Sequence, residues 1–299
     1  MFRALRLLIV FVLSTGAATV QPATRLMAFP SDAGAGGQPV ALKNVAAKAA
    51  DLPFGPYEFQ AEQDLLALAN QSRQQAGAAP LVLDAGLSKA ARIHGQAMLV
   101  AGELSHRLDG EPALDQRLAV ETQLQLDQEG ENVALDYDAE HGHQHLMLSP
   151  PHRANLLNPD YNVVGLGVIR SGERIYIVQD FGHALPSYSP EEVKERVSAA
   201  VNRIRRDAGL SSLPRHDLLT ADQTACSMAR ADTLATAAVH KLAQRYTVLT
   251  FTTLRPQELP STGNRAIATP KMLDFSLGAC YGRTLTYPTG VYWVVLSLE

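Results

Sequence analysis

Cysteine is almost missing from this 299-residue chain. Only Cys226 and Cys280 occur, both in the C-terminal half, so a single bridge is the most that disulfide chemistry can supply. If they pair, they close a loop of 54 residues (280 minus 226) and add ~3–4 kcal/mol by restricting the unfolded chain; two buried free thiols are the alternative. No basic cluster exists, and the net charge of -4 leaves no footprint for nucleic acid. Neither a Walker loop nor a Gly-x-Gly-x-x-Gly run is present, so nucleotide binding lacks its usual cradle. Apolar runs of membrane-spanning length are also lacking.

The one apolar run, Leu7 to Leu13, follows Arg3 and Arg6 and leads to Ser14, Gly16, Ala17 and Ala18. A charged start, a short apolar centre and a small-residue exit predict a signal peptide over residues 1–18; an uncleaved anchor is the alternative. No cysteine follows the run, which argues against a lipid-anchored form. The mature chain is expected to be soluble and secreted or periplasmic. Residues 19–57, rich in Ala, Gly and Pro without a sustained period, read as a disordered leader.

Order is expected from Glu58 on. Leu65, Leu66, Leu68 and Ala69 mark one face of a helix over 61–75, ended by Ala76-Gly77. Asp84 reads as the cap of a second helix over 85–101. His94, among that helix's apolar residues, reads as a packed histidine rather than a ligand. A short helix over 112–122 and one over 139–148 follow, the latter capped by Asp138 and stopped by Pro150-Pro151. Two strands around Ser171-Gly172 form a hairpin. Helices followed by a hairpin point to an α+β layer fold rather than a βαβ series.

Polar residues without a place in any apolar period converge in the middle of the chain. His106 stands in Leu104-Ser105-His106, Glu131 in a Gly130-Glu131-Asn132 turn, and His152 in Ser149-Pro150-Pro151-His152-Arg153. Two imidazoles and a carboxylate from three segments suit a polar cleft, with Asn132 and Ser149 beside them, or a Zn site that activates water. A buried network in which Glu131 holds its own turn would use the same residues. Ser149 is a poor nucleophile, because Pro150 removes the following backbone donor of an oxyanion hole. His141, His143 and His145 form a second cluster. The first and last share a helix face, as an accessory metal site would require or as a solvated face would also allow.

Taken in order, these motifs resemble the CAP superfamily, the cysteine-rich secretory, antigen 5 and pathogenesis-related proteins, in its bacterial SCP-like form. The resemblance covers 58–182. It includes Asn70-x-x-Arg73-x-x-Ala76-Gly77, Pro80-Leu81-x-Leu83-Asp84, Leu87-x-x-Ala90-Ala91 and Ser105-His106. Further on it includes Gly130-Glu131-Asn132, Ser149 to Leu157, and Val164-Gly165-Leu166-Gly167. It implies a three-layer α-β-α sandwich over 58–183 whose cleft carries two His and two Glu. His106, Glu131 and His152 match three of those positions; Ser149 stands where the second Glu is expected, and Leu146 replaces a Trp. For some relatives it also implies lipid, sterol or envelope ligands.

The second half echoes the first at a constant offset of 132. Asn70, Arg73, Ala76, Gly77, Leu81 and Leu87 recur as Asn202, Arg205, Ala208, Gly209, Leu213 and Leu219 (202 minus 70, and so on). Asn132 and Ala134 recur as Asn264 and Ala266, while Gly263 takes the place of Glu131 and nothing matches 149–157. Residues 191–299, after a linker at 184–190, are therefore expected to form a degenerate CAP-like domain without the polar site, with chance helical similarity as the alternative. Two functions follow as expectations: a non-enzymatic module binding a lipid, sterol or cell-envelope component, or a metal-dependent hydrolase of peptide or wall material.

Overall fold

The structure, a computed structural model, describes residues 9–10 and 57–299. Apart from Ile9, Val10 and Tyr57, the expected signal peptide and leader lie outside the described residues. The described residues divide into two compact units, one of 57–123 and 128–184, the other of 9–10, 124–127 and 185–299. No helix among the described residues is long and apolar enough to cross a membrane.

Ile9–Val10 (β1) belongs to the second unit, where it runs parallel to a later strand. The first unit opens with helix α1, Phe59–Gln75, which buries Leu65 and Ala69 together with two charged residues, Glu62 and Arg73. A two-residue strand, β2 (Val82–Leu83), leads to α2, Ala85–Ala101. Asp84 caps α2 by accepting from the Leu87 N–H, and Gly102 closes it in the left-handed region at φ 67°. Helix α3 is Leu114–Glu121, and strand β3 is Gln125–Asp136. Helices α4 (Ala139–Leu148) and α5 (Pro150–Leu157) meet at Ser149. Strands β4 (Val163–Ser171) and β5 (Arg174–Leu185) pair antiparallel about Gly172, giving a sheet ordered β2-β4-β5-β3.

Helices cover both faces of this sheet because β4 and β5 alternate two apolar sets. Leu166, Val168, Ile175 and Ile177 pack with Leu65 of α1, Leu146 of α4 and Leu156 of α5. Ile169, Tyr176 and Val178 pack with Ala91, Ala97 and Met98 of α2. Between them, Gly165 and Gly167 let α2 lie directly on the strand. A Cβ on Gly165 would collide with the backbone of Leu87, and one on Gly167 with that of Ala91.

The Gly130-Glu131-Asn132 turn expected from the sequence is not a turn. It is the middle of β3, and Glu131 is held on a strand. The glycine is required for a different reason: a Cβ there would run into the Tyr161 hydroxyl. The sequence cue for a break was a packing constraint.

The second unit contains α6 (Pro190–Asp207), β6 (Arg215–His216), α7 (Leu219–Ala231), α8 (Ala237–Ala243), β7 (Thr247–Thr253), β8 (Phe275–Gly282) and β9 (Val291–Leu298). Its sheet is ordered β1-β7-β9-β8-β6. Val193, Val197 and Val201 of α6 cover one face, and Ala225 and Met228 of α7 the other. Cys226 of α7 and Cys280 of β8 are joined, with S–S 2.06 Å.

Hydrogen bonds recur at the offset of 132. In the first unit Asn70 exchanges two bonds with the backbone of Leu81, and in the second Asn202 does so with Leu213. Arg73 donates to the carbonyls of Ala79, Leu156, Asn158 and Tyr161, and Arg205 to those of Ser211, Ile267 and Thr269. The α+β character holds for both units.

Candidate functional site: a buried ion network under two imidazoles

Five segments of the first unit bring the polar residues together. The strand β3 fixes Glu131, and the loop after α2 brings in His106. The start of α5 places His152 at its third residue, where the two prolines that halt α4 start the next helix. Helix α3 contributes Arg117, and β5 contributes Gln179 and Asp180.

Glu131 is the centre. Its side chain is 4% exposed, and its two oxygens face different partners. One accepts from His106 Nδ1 at 2.8 Å, and the other is paired with the guanidinium of Arg117. Arg117 also donates to the His106 carbonyl at 2.9 Å and lies 3.3 Å from Glu111 Oε2. Glu111 in turn binds His94 Nδ1 at 2.7 Å, while His94 Nε2 bonds the Ser105 carbonyl at 2.9 Å. His94 is therefore fully buried, as a packed histidine is, and it anchors the loop that carries His106. Burial pushes the Glu111 carboxyl up, but the bonds from His94 and the Leu108 N–H outweigh it and hold the group below its ordinary value.

Asp180 lies beneath Glu131 with no exposure at all. Burial first, and the neighbouring Glu131 charge second, raise its pKa well above the ordinary carboxyl value. Both of its oxygens are buried without a hydrogen-bond partner among the described residues, so burial and the neighbouring carboxylate disfavour its charged form.

The outward groups are the two imidazoles. His106 has a side chain 59% exposed, and its bond to Glu131 raises its pKa against the opposing effects of burial and Arg117. His152 takes a hydrogen bond with Ser149 Oγ at 2.8 Å through Nδ1. Burial, then the nearby His106, lower its pKa and favour the neutral ring. In both rings Nδ1 is occupied and Nε2 faces away from these bonds.

Of the expected cleft residues, the structure joins His106 to Glu131 and His152 to Ser149. Asn132 does not face a ligand. It is fully buried, donating to the His152 carbonyl and to Gln179, both at 3.1 Å, and accepting from Asn155 at 3.0 Å. That amide bridge ties β3 to α5 and so sets the spacing of the two histidines.

A Zn site of His106, Glu131 and His152 does not fit. Glu131 has both oxygens committed, and a buried guanidinium beside it opposes a dication. No group of three His, Cys, Asp or Glu side chains with metal-binding geometry occurs among the described residues. What remains is an imidazole pair, one ring of which is oriented by a carboxylate.

His141, His143 and His145 do not act together. His143 is buried against Ser72, its Nε2 at 2.9 Å from the hydroxyl, and burial lowers its pKa. The other two face solvent. Sequence reasoning missed Arg117, Glu111 and Asp180. Only the polar pair Gln179-Asp180 inside an otherwise apolar strand offered a visible signal.

Residues 66–181 match the model of the cysteine-rich secretory protein family, CAP. No curated protein matches the chain. Among solved structures the chain is similar to an outer surface protein of Borrelia burgdorferi, at 20% identity and a TM-score of 0.41, over 44% of this chain and 98% of that one. It is also similar to an extracellular SCP-domain protein of Bacillus anthracis, at 26% identity and a TM-score of 0.37, over 42% and 40% of the two chains. A cysteine-rich secretory protein of Staphylococcus aureus aligns at 21% identity and a TM-score of 0.35, over 43% and 40%.

Proposed function

We propose that this chain, which belongs to the CAP family through residues 66–181, is an exported binding module that turns nothing over and holds a lipid, sterol or other cell-envelope component. The observation that carries this reading is the state of Glu131. A carboxylate that is 4% exposed, with one oxygen bonded to His106 and the other paired with Arg117, is poorly placed to take a proton from water or substrate. Ser149 Oγ lies 2.8 Å from His152 Nδ1, but no carboxylate holds that ring among the described residues and proline follows the serine, so the pair lacks an orienting third group and an adjacent oxyanion donor. The network builds a surface and fixes it in place.

Apolar surface is available on the same unit. Met147, Leu148, Pro150, Ala154 and Leu157 line a groove of about 340 Å³ along α4 and α5, with Arg153 at its side. Export is supported by the character of residues 1–18 and by the Cys226–Cys280 bridge, a bond that oxidising compartments preserve. Residues 191–299 we read as a degenerate CAP-like domain. The recurring asparagine and arginine bonds support this, as does Gly263 in the place of Glu131.

The test is to purify the full chain from its native envelope fraction, extract it with organic solvent and identify bound lipid by mass spectrometry. Wild type is run beside Ala154→Trp and His106→Ala/His152→Ala. A stoichiometric lipid lost from either variant, with folding intact, supports the binder. Turnover of envelope peptide or wall fragments that disappears in the histidine variant would replace this reading with hydrolysis.

A further inference from the structure

The two solvent-facing histidines of α4 have no part in the network above, yet they are not free rotors. His141 and His145 stand one helical turn apart on one face, with side chains 57% and 62% exposed. Each ring is held through Nδ1 by a carboxylate: His141 by the two oxygens of Asp138, both at 2.9 Å, and His145 by Asp136 at 2.6 Å. The carboxylates are themselves pinned to backbone. Asp136 Oδ1 accepts the Tyr137 N–H at 2.9 Å, and Asp138 Oδ1 the His141 N–H at 2.9 Å. Asp136 is moreover buried. The carboxylates thus position the rings instead of following them.

An imidazole that donates its Nδ1–H to a carboxylate presents a bare lone pair on Nε2, the arrangement found behind most metal-bound histidines. Neither Nε2 has a partner among the described residues. Asp136, Asp138 and Glu140 add negative charge around the same turn.

We propose that His141 and His145 form a two-imidazole chelate on α4 for a divalent transition metal of the imidazole-binding class, Cu2+, Ni2+ or Zn2+. Solvent completes the shell, since no third protein ligand is at hand. Such a site takes up and releases metal without folding around it, and it is independent of the cleft and of the ligand-binding reading. Cu2+ binds it most tightly of the three.

The experiment is calorimetric titration of the full chain with Cu2+ at neutral pH, with electron paramagnetic resonance to count coordinated nitrogens. It is repeated on His141→Ala, His145→Ala, Asp136→Asn and the cleft variant His106→Ala/His152→Ala. Both α4 rings are exposed, so their removal is not expected to unfold the helix, and circular dichroism verifies this. Either alanine variant is expected to weaken the site at least about 100-fold, and Asp136→Asn about 10-fold, the range for loss of an orienting carboxylate. The cleft variant keeps a site with two coordinated nitrogens. Affinity unchanged in both alanine variants, a site lost only in the cleft variant, or no binding by wild type would each overturn the proposal.

Discussion

Arg117 of α3 and Glu131 of β3 form an ion pair in which both side chains are more than nine-tenths buried. Such a pair adds little compared with apolar residues of the same shape, but breaking it is expensive. Arg117→Met leaves the Glu131 charge buried and should cost about 3–5 kcal/mol. The double variant Arg117→Met/Glu131→Leu should recover much of that loss, because neither charge then needs a partner. Chemical denaturation of the three proteins checks both signs. A double variant no more stable than the single one would place the energy of the site elsewhere.

The raised pKa of Asp180 makes a pH prediction. Its folded pKa lies above the unfolded value near 3.8, so the native state holds this proton to higher pH than the unfolded chain does. Its contribution is complete below the unfolded pKa and is lost as pH rises through the folded one, with a slope of at most about 1.4 kcal/mol per pH unit. His106, also raised, adds a loss of the same sign nearer neutrality, damped by its exposure. Asp180→Asn removes only the first effect. Unfolding free energies measured from pH 4 to 8 should fall less steeply for the variant than for wild type.

How much of this was legible in the sequence depended on whether a residue's cue was local. Asp84 and Asp138 announce helix starts because a cap acts on an N–H three residues away. The hairpin about Gly172 is equally local. The site divides along the same line. His106, Glu131 and His152 stood out as polar residues lacking an apolar period. Arg117 could not, since an arginine on an eight-residue helix looks like any solvated charge until β3 is brought under it. Asn132 was placed in the cleft for its motif, whereas its amide faces inward and donates to the His152 carbonyl and to Gln179. The Gly130 misreading has a similar origin, because the residue that requires glycine there, Tyr161, is 31 positions away (161 minus 130).

The Cys226–Cys280 bridge spans 54 residues and ties α7 to β8. In the chain-entropy account a loop of that length is worth about 4 kcal/mol. Cys226→Ser/Cys280→Ser should therefore lower stability by roughly that amount. Amide exchange should quicken across 219–298 and stay unchanged around Glu131, which takes no part in that packing. Uniform acceleration through both units would contradict this.

Arg73 and Arg205 supply the sharpest comparison between the two halves. Each is buried on the first helix of its unit, and each ties distant carbonyls together: four for Arg73 and three for Arg205. Methionine fills much of the same volume but donates nothing, so every carbonyl that water cannot reach is left unpaired at about 1–3 kcal/mol. Arg73→Met and Arg205→Met should both be strongly destabilising, by at least about 3 kcal/mol each, with Arg73 the larger because it serves one more carbonyl. Hydrogen exchange read by mass spectrometry should show the loss first at 156–161 in one variant and at 267–269 in the other. If Arg205→Met proved neutral while Arg73→Met did not, the second half would have kept the motif's residues without keeping its mechanical role, and the reading of 191–299 as a worn copy of the first unit would lose its strongest support.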